Sequence, residues 1–183
     1  QARRNTLVLG IDISDTISLD PARMAQYTPP MTLNAAYSAL VAFDAGNYVD
    51  VVPALAESWA PTPDGKALRF KLRDAKFSSG SPVTADDVKW SLDRVKHVKS
   101  QPALYNVNID RVEVVDPRTV DIVMVEPREP VLGALASTTN GILERKVVES
   151  HGGTAAADAS TTDKATDWLD NNSAGAGPYR LVG

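Results

Sequence analysis

Residues 64–88 read DGKALRFKLRDAKFSSGSPVTADDV, and this stretch contains three signals of local structure. It opens with Asp64-Gly65, a dipeptide that is typical of the tight turn of a β-hairpin. Apolar and basic residues then alternate over Leu68–Leu72, which predicts a strand with one buried and one solvent-facing side. Near its end, Thr84 precedes two aspartates, and this order predicts a helix that is capped by the Thr84 hydroxyl.

Weaker patterns on either side extend this reading to an α/β fold of the α+β type, built around a mixed sheet. A second hairpin is expected, with strands over 109–115 and 119–125 and with Pro117 in the turn between them. The other expected elements are a first buried strand over 6–13, a helix over 31–43, short helices over 131–136, 143–149 and 162–169, and a last strand over 175–182.

The composition argues against several classes of protein. The 183 residues have a formal net charge of −4, and the basic residues are scattered, so no nucleic-acid-binding face is predicted. The chain contains no cysteine, which excludes disulfides and thiolate chemistry within it. No apolar run approaches the roughly 20 residues of a membrane-spanning helix.

No catalytic or metal-binding constellation is visible in the sequence. The two histidines, His97 and His151, lie far apart in the chain, and neither belongs to a known catalytic or zinc-binding motif. Gly175-Ala176-Gly177 begins like a dinucleotide-binding fingerprint, but Pro178 removes a backbone donor where phosphate binding requires one. We interpret these glycines as a place where two backbone segments approach closely.

Several segments of this chain occur together, in the same order, in one known family. They are Leu55-Ala56-Glu57-Ser58-Trp59, the run from Phe70 to Phe77, the run from Ser79 to Val88, and Ala174-Gly175-Ala176-Gly177-Pro178-Tyr179. In these segments the chain resembles the bacterial extracellular solute-binding proteins of family 5, the dipeptide-, oligopeptide- and nickel-binding group. The family usually has threonine where this chain has Ala176, which is a mild departure.

The resemblance implies the N-terminal lobe of a periplasmic-binding-protein type II clamshell. Residues 1–30 would supply the first strand and loop of the large N-terminal lobe, 31–172 an inserted smaller subdomain, and 173–183 the return strand, with the C-terminal lobe outside this chain. A single lobe would be expected to bind ligand poorly.

The implied function is that of the solute-binding component of an ABC importer, a receptor in the periplasm and not an enzyme. Its partners would be a small-molecule ligand and the permease subunits. A peptide or peptide-like compound is the preferred ligand, while an opine, an oligosaccharide and a nickel chelate stay open. The alternative is a structural or interaction domain, derived from such a protein, with no ligand of its own.

In similar proteins, the loop after the first strand and the segment after the second hairpin reach the ligand. We therefore expect ligand contacts from the first loop at residues 16–18, from its continuation at residues 27–28, and from a short polar run at residues 138–140. The expected ligand-binding residues are Thr16, Ile17, Ser18, Tyr27, Thr28, Thr138, Thr139 and Asn140. No catalytic residue, metal site or cofactor is expected.

Overall fold

A computed structural model describes residues 10–24, 26, 28–127 and 131–182. Its helices and strands follow one another as a mixture of short helices and antiparallel strands. In chain order they are α1 (Pro29–Ala36), β1 (Val41–Phe43), β2 (Val51–Pro53), β3 (Ala56–Pro61), β4 (Ala67–Leu72), α2 (Ala85–Val98), a 3-10 helix (Gln101–Asn106), β5 (Ile109–Asp116), β6 (Thr119–Met124), α3 (Leu132–Leu135), a 3-10 turn (Thr138–Asn140), α4 (Arg145–Ser150), α5 (Ala159–Thr162) and α6 (Thr166–Leu169).

The main sheet has four antiparallel strands in the order β3-β4-β6-β5, and α2 packs against it. The predicted alternation in β4 is confirmed, since Phe70 and Leu72 are buried in the core while Lys71 between them is exposed. The predicted turn between β3 and β4 is confirmed as well. Gly65 adopts a φ of +69° there, a backbone conformation that glycine accepts without steric cost.

The predicted cap of α2 is present as a reciprocal pair of hydrogen bonds. The Asp87 amide donates to Thr84 Oγ1 over 3.3 Å, and the Thr84 amide donates to Asp87 Oδ2 over 3.0 Å. This capping box satisfies two of the amides that a helix start leaves unpaired. The predicted apolar stripe of α2, which consists of Val88, Leu92 and Val95, is buried.

The single helix predicted over 31–43 is wrong. Helix α1 ends at Ala36, Tyr37 is extended with φ −120° and ψ 146°, and residues 41–43 form β1, which pairs with β2. The apolar spacing continues past the helix because Leu40 and Val41 are also buried, but they enter the core from an extended segment. Burial at helical spacing therefore did not distinguish one long helix from a helix followed by a short strand.

The predicted terminal strands also require correction. Residues 10–13 are not in a strand, and the remainder of the predicted strand over 6–13 lies outside the described residues. Residues 175–182 form only single bridges, from Gly175 to Leu143 and from Val182 to Asn172. The amides of Gly177 and Tyr179 donate instead to the carbonyls of Ala36 and Ala35, at the end of α1, so they cannot build a sheet ladder.

The close backbone approach predicted at Gly175 and Gly177 is confirmed. A Cβ atom on Gly175 would lie 2.1 Å from the Ala36 carbonyl oxygen, and one on Gly177 would lie 2.5 Å from that of Ala35. Neither distance is compatible with a side chain larger than hydrogen. The two glycines thus let the segment around Pro178 lie directly against the last turn of α1.

Candidate functional site

Helix α1 links three of the segments that were expected to meet a ligand. At its start, the Thr28 amide donates to Asp15 Oδ2 over 3.1 Å, which places Thr28 beside the residue that precedes Thr16. One and a half turns later, Asn34 Oδ1 accepts a hydrogen bond from Thr138 Oγ1 over 2.6 Å. The first loop, Thr28 and Thr138 therefore lie along one short helix, although 122 positions separate Thr16 from Thr138.

A cleft of about 560 Å³ opens beside this helix, between α1, β1 and the residues that follow α3. None of the described residues that line it carries a charge. Its polar side-chain atoms come from the Asn34 amide and from hydroxyls, and its apolar surface includes three aromatic rings. Representative lining residues are Asn34, Tyr37, Phe43, Tyr48, Ser137 and Thr138. Such a lining can hydrogen-bond and stack on a neutral solute but offers it no ionic partner.

Tyr37 is the most deeply buried of the three aromatic residues that line the cleft. The side chain is almost entirely buried, and this burial raises the pKa of Tyr37 well above its ordinary value, an effect that the backbone of Ala174 reduces only in part. Loss of water disfavours the phenolate, so the side chain stays a neutral phenol to a higher pH than an exposed tyrosine would.

The later polar run is divided between surface and interior. Thr138 is half-buried at the edge of the cleft, whereas Thr139 and Asn140 are 4% and 1% exposed. The Thr139 hydroxyl donates to Ser137 Oγ over 2.9 Å, and the Asn140 amide donates to the Ala134 carbonyl over 2.8 Å. The polar atoms of these two residues are therefore engaged inside the protein, and Thr138 is the member of the run that lines the cleft.

The first loop presents its residues unequally. Ile17 is 79% exposed and Thr16 is half-buried, while Ser18 is buried with its hydroxyl donating to Asp170 Oδ1 over 2.7 Å. Tyr27 lies outside the described residues. The predicted role of these residues as ligand contacts stays a prediction.

Sequence reasoning missed an apolar surface next to this run. Leu104, Tyr105 and Val107 are exposed on and just after the 3-10 helix 101–106. Asn106, between them, is buried and bonded through its amide to Asn140, so the exposed side chains lie next to the segment that contains Thr138. The available signal is the apolar character of residues 103–105.

The histidines have local contacts that fit structural roles. His97 Nδ1 lies 2.7 Å from the Ala155 carbonyl oxygen, and the exposed His151 ring stacks on Trp168 with centroids 4.1 Å apart. Neither lines the cleft. In the part of the chain that the structure describes, no three His, Asp or Glu side chains are grouped so that they could hold a metal ion. The helices described there are also too short or too polar to cross a membrane.

Comparison with known protein families identifies the family of this chain. Over residues 50–183 the sequence matches the family described as bacterial extracellular solute-binding proteins, family 5 middle. The chain belongs to this family. The predicted resemblance and the predicted fold, a partial lobe of a family 5 periplasmic binding protein, are thereby confirmed.

Individual family 5 members support the assignment. The probable D,D-dipeptide-binding periplasmic protein DdpA of Escherichia coli (strain K12) is 32% identical over 97% of this chain. NikZ of Campylobacter jejuni, solved in complex with Ni(L-His), is 27% identical with a TM-score of 0.69 over 89% of the chain. The substrate-binding domain of an oligopeptide ABC transporter of Bacillus anthracis str. Ames is 26% identical with a TM-score of 0.68 over 74% of it. The chain spans about a third of each of these proteins, namely 33%, 30% and 29%.

Proposed function

We propose that this chain forms one wall of the ligand cleft of a solute-binding protein, which captures a small solute in the periplasm and delivers it to the permease subunits of an ABC importer. The observation that carries the proposal is the uncharged cleft beside α1, because Thr138 lines it and α1 is also bonded to the first loop through the Thr28 amide. Membership of a family of solute-binding proteins supports a receptor and not an enzyme.

A peptide or peptide-like compound is the ligand that we favour. The names of DdpA and of the Bacillus protein specify dipeptides and oligopeptides, whereas that of the Campylobacter protein specifies a nickel–histidine complex. A cleft with amide and hydroxyl groups and aromatic rings, but no charge, suits the neutral backbone or side chain of a peptide. The charged ends of such a ligand would then need partners outside this cleft.

We further propose the domain division of the resemblance for this chain. Residues 1–30 and 173–183 would belong to the large lobe, and residues 31–172 would form the smaller inserted subdomain. The contact between the segment around Pro178 and the end of α1 supports a junction at this place, since Gly175 bridges Leu143 on one side and approaches Ala36 on the other.

Calorimetric titration of the intact protein, expressed from its whole reading frame, tests the function. The panel would contain D-alanyl-D-alanine, an L,L-dipeptide, an oligopeptide, an opine, an oligosaccharide and the nickel–histidine complex. We expect one peptide ligand to bind with a dissociation constant of about 1 μM and to be recovered unchanged. If no solute bound, the alternative of a domain without its own ligand would replace this proposal, and turnover of the solute would exclude a pure receptor.

Two substitutions at the cleft test its part in binding. Asn34→Ala removes an amide from the lining and Thr138→Val removes a hydroxyl. Each should weaken binding by about tenfold, because a polar group of the ligand would be left without a hydrogen-bond partner. Thr161→Val is the matched control, since this exposed threonine of α5 donates only to the Asp158 carbonyl and does not line the cleft. Equal affinity in all four proteins would place the ligand elsewhere.

A further inference from the structure

The first loop is fastened to the rest of the chain by buried charged side chains. Asp20 is fully buried, and its two oxygens accept hydrogen bonds from Nη1 and Nη2 of Arg94, each over 2.7 Å. The Thr166 hydroxyl adds a third bond to Asp20 Oδ2 over 3.0 Å. A bidentate pair of this kind fixes both distance and orientation, so the backbone at Asp20 has a single position relative to α2.

Arg94 is shared between two carboxylates. It is also fully buried, and its Nε and Nη2 donate to the oxygens of Asp163 over 2.9 and 2.8 Å. The guanidinium of Arg23 lies 4.0 Å from Asp20 and 3.9 Å from Asp163, so two positive charges face two negative ones. This balance permits burial of the cluster, because an unpaired charge in such a place would be strongly destabilising.

A second anchor lies just after α6. Asp170 Oδ1 accepts from the Ser18 hydroxyl over 2.7 Å and from the Leu19 amide over 2.8 Å. Three consecutive loop residues, 18–20, are thus all held by the segment 163–170. Asp170 holds residues 18 and 19, while Thr166 bonds to Asp20 directly and Asp163 is joined to Asp20 through Arg94. Thr16 and Ile17 directly precede this fastened stretch.

We propose that Asp170 is a positioning residue for the first loop, which sets where Thr16 and Ile17 stand although Asp170 itself does not line the cleft. The inference rests on the proposed function and on the expectation that these loop residues contact the ligand. Arg94 is less suited to this separate role, since its removal would leave two buried carboxylates unpaired and would destabilise the whole fold. Asp170 is only half-buried, and its loss removes two bonds to the loop without leaving a buried charge unpaired.

The test compares Asp170→Ala, Asp170→Asn and a control, Asp167→Ala, in the intact protein. Asp167 is an exposed acid on α6, three residues before Asp170, and asparagine at 170 keeps an oxygen that can accept both bonds. We expect the Leu19 amide to exchange its hydrogen about 10 to 100 times faster in Asp170→Ala, with no change in the sheet residues 109–124. The dissociation constant for D-alanyl-D-alanine should rise about tenfold at an unchanged melting temperature. Asp170→Asn should restore both values, and Asp167→Ala should match the wild type.

The outcomes separate this inference from the proposed function. Unchanged exchange at Leu19 in Asp170→Ala overturns the inference whatever the affinity. Faster exchange with undiminished affinity shows that Asp170 holds the loop without serving binding, which overturns the positioning role and leaves the proposed function standing. If the wild type binds none of the peptides in the panel, the preference for a peptide ligand fails, and the exchange measurement alone decides whether Asp170 positions the loop.

Discussion

The side-chain amides of Asn106 and Asn140 donate to each other, with Nδ2–Oδ1 distances of 2.7 and 2.8 Å, and both residues are buried. This reciprocal pair joins the 3-10 helix 101–106 to the 3-10 turn 138–140, which are far apart in the chain. It thereby fixes the exposed Tyr105 beside the turn that carries Thr138 at the edge of the cleft.

Replacement of either asparagine should lower the free energy of unfolding, and replacement of both should lower it by less than the sum of the two single losses. Asn140→Ala leaves the Asn106 amide buried without its partner, which we expect to lower the free energy of unfolding by about 1–3 kcal/mol. In Asn106→Ala/Asn140→Ala no orphaned amide remains from the pair, so the two losses should not sum. Urea unfolding of the three variants and the wild type measures this coupling. Strict additivity would show that the pair contributes nothing beyond its separate side chains.

Gly175→Ala should be among the most damaging single substitutions in the chain. The new methyl group would lie 2.1 Å from a backbone oxygen, which cannot move as a flexible side chain could, so α1 and the segment around Pro178 must separate. Overpacking of this kind typically costs about 1–3 kcal/mol or more. The matched control is Gly133→Ala in α3, whose methyl group would meet only the Phe43 ring at 3.8 Å and should leave the melting temperature unchanged or slightly higher. Equal effects at the two glycines would contradict the close approach.

The Asp163 carboxylate should make the protein sensitive to acid. Burial alone would raise the pKa of Asp163, but the hydrogen bonds and charge of Arg94, with the amides of Thr154 and Ala165, outweigh it and lower the pKa below its ordinary value. A group whose pKa is lowered by folding stabilises the protein above its unfolded value of about 3.9 and loses that contribution as the pH falls through the lower folded value.

Denaturant unfolding at pH 7 and at pH 3 checks this prediction. Asp163→Asn should have a lower free energy of unfolding than the wild type at pH 7, because Arg94 keeps only one carboxylate. This difference in the free energy of unfolding should be smaller at pH 3. Asp158→Asn serves as the control, since this exposed acid lies near the start of α5 and contacts no part of the Arg94 cluster. If the free energies of unfolding of Asp163→Asn and the wild type differed by the same amount at both pH values, the lowered pKa of Asp163 would be refuted.

The 183-residue chain alone should bind the solute far more weakly than the intact protein. It spans about a third of the length of its relatives, and affinity in a clamshell comes from contacts on both sides of a closing cleft. Loss of about 4 kcal/mol would move a dissociation constant from about 1 μM to about 1 mM. Parallel titrations of the two proteins with the same solute measure the ratio. Equal affinities would mean that the remaining chain is dispensable for binding.

Local rules were sufficient for the central part of this fold. The Asp64-Gly65 turn, the alternation in β4 and the Thr84 cap each depend on residues within a few positions of one another, and each is present. The end of α1 was misplaced because Leu40 and Val41 are buried like helix residues but belong to an extended segment. The last predicted strand failed because its amides donate to α1, a contact between distant segments that no local pattern encodes.

The candidate site was predictable only as a set of loops. The family resemblance indicated the first loop, Thr28 and residues 138–140, and the structure places Thr28 and Thr138 along one helix. Which members of the polar run face outward could not be predicted, since the burial of Asn140 depends on Asn106, a partner 34 positions away. The anchoring of Ser18 by Asp170 spans 152 positions and left no signal in either segment.

The central claim is that the cleft beside α1 is a wall of the ligand site, and hydrogen exchange of the intact protein with and without its tightest-binding solute tests it most directly. Binding should slow exchange in the first loop at residues 14–18, at the start of α1 and in the turn 137–141, while the β5–β6 hairpin at 109–124 exchanges as before. Saturating binding that leaves the first loop, α1 and the turn 137–141 unprotected would contradict the claim, even if the solute proved to be a peptide.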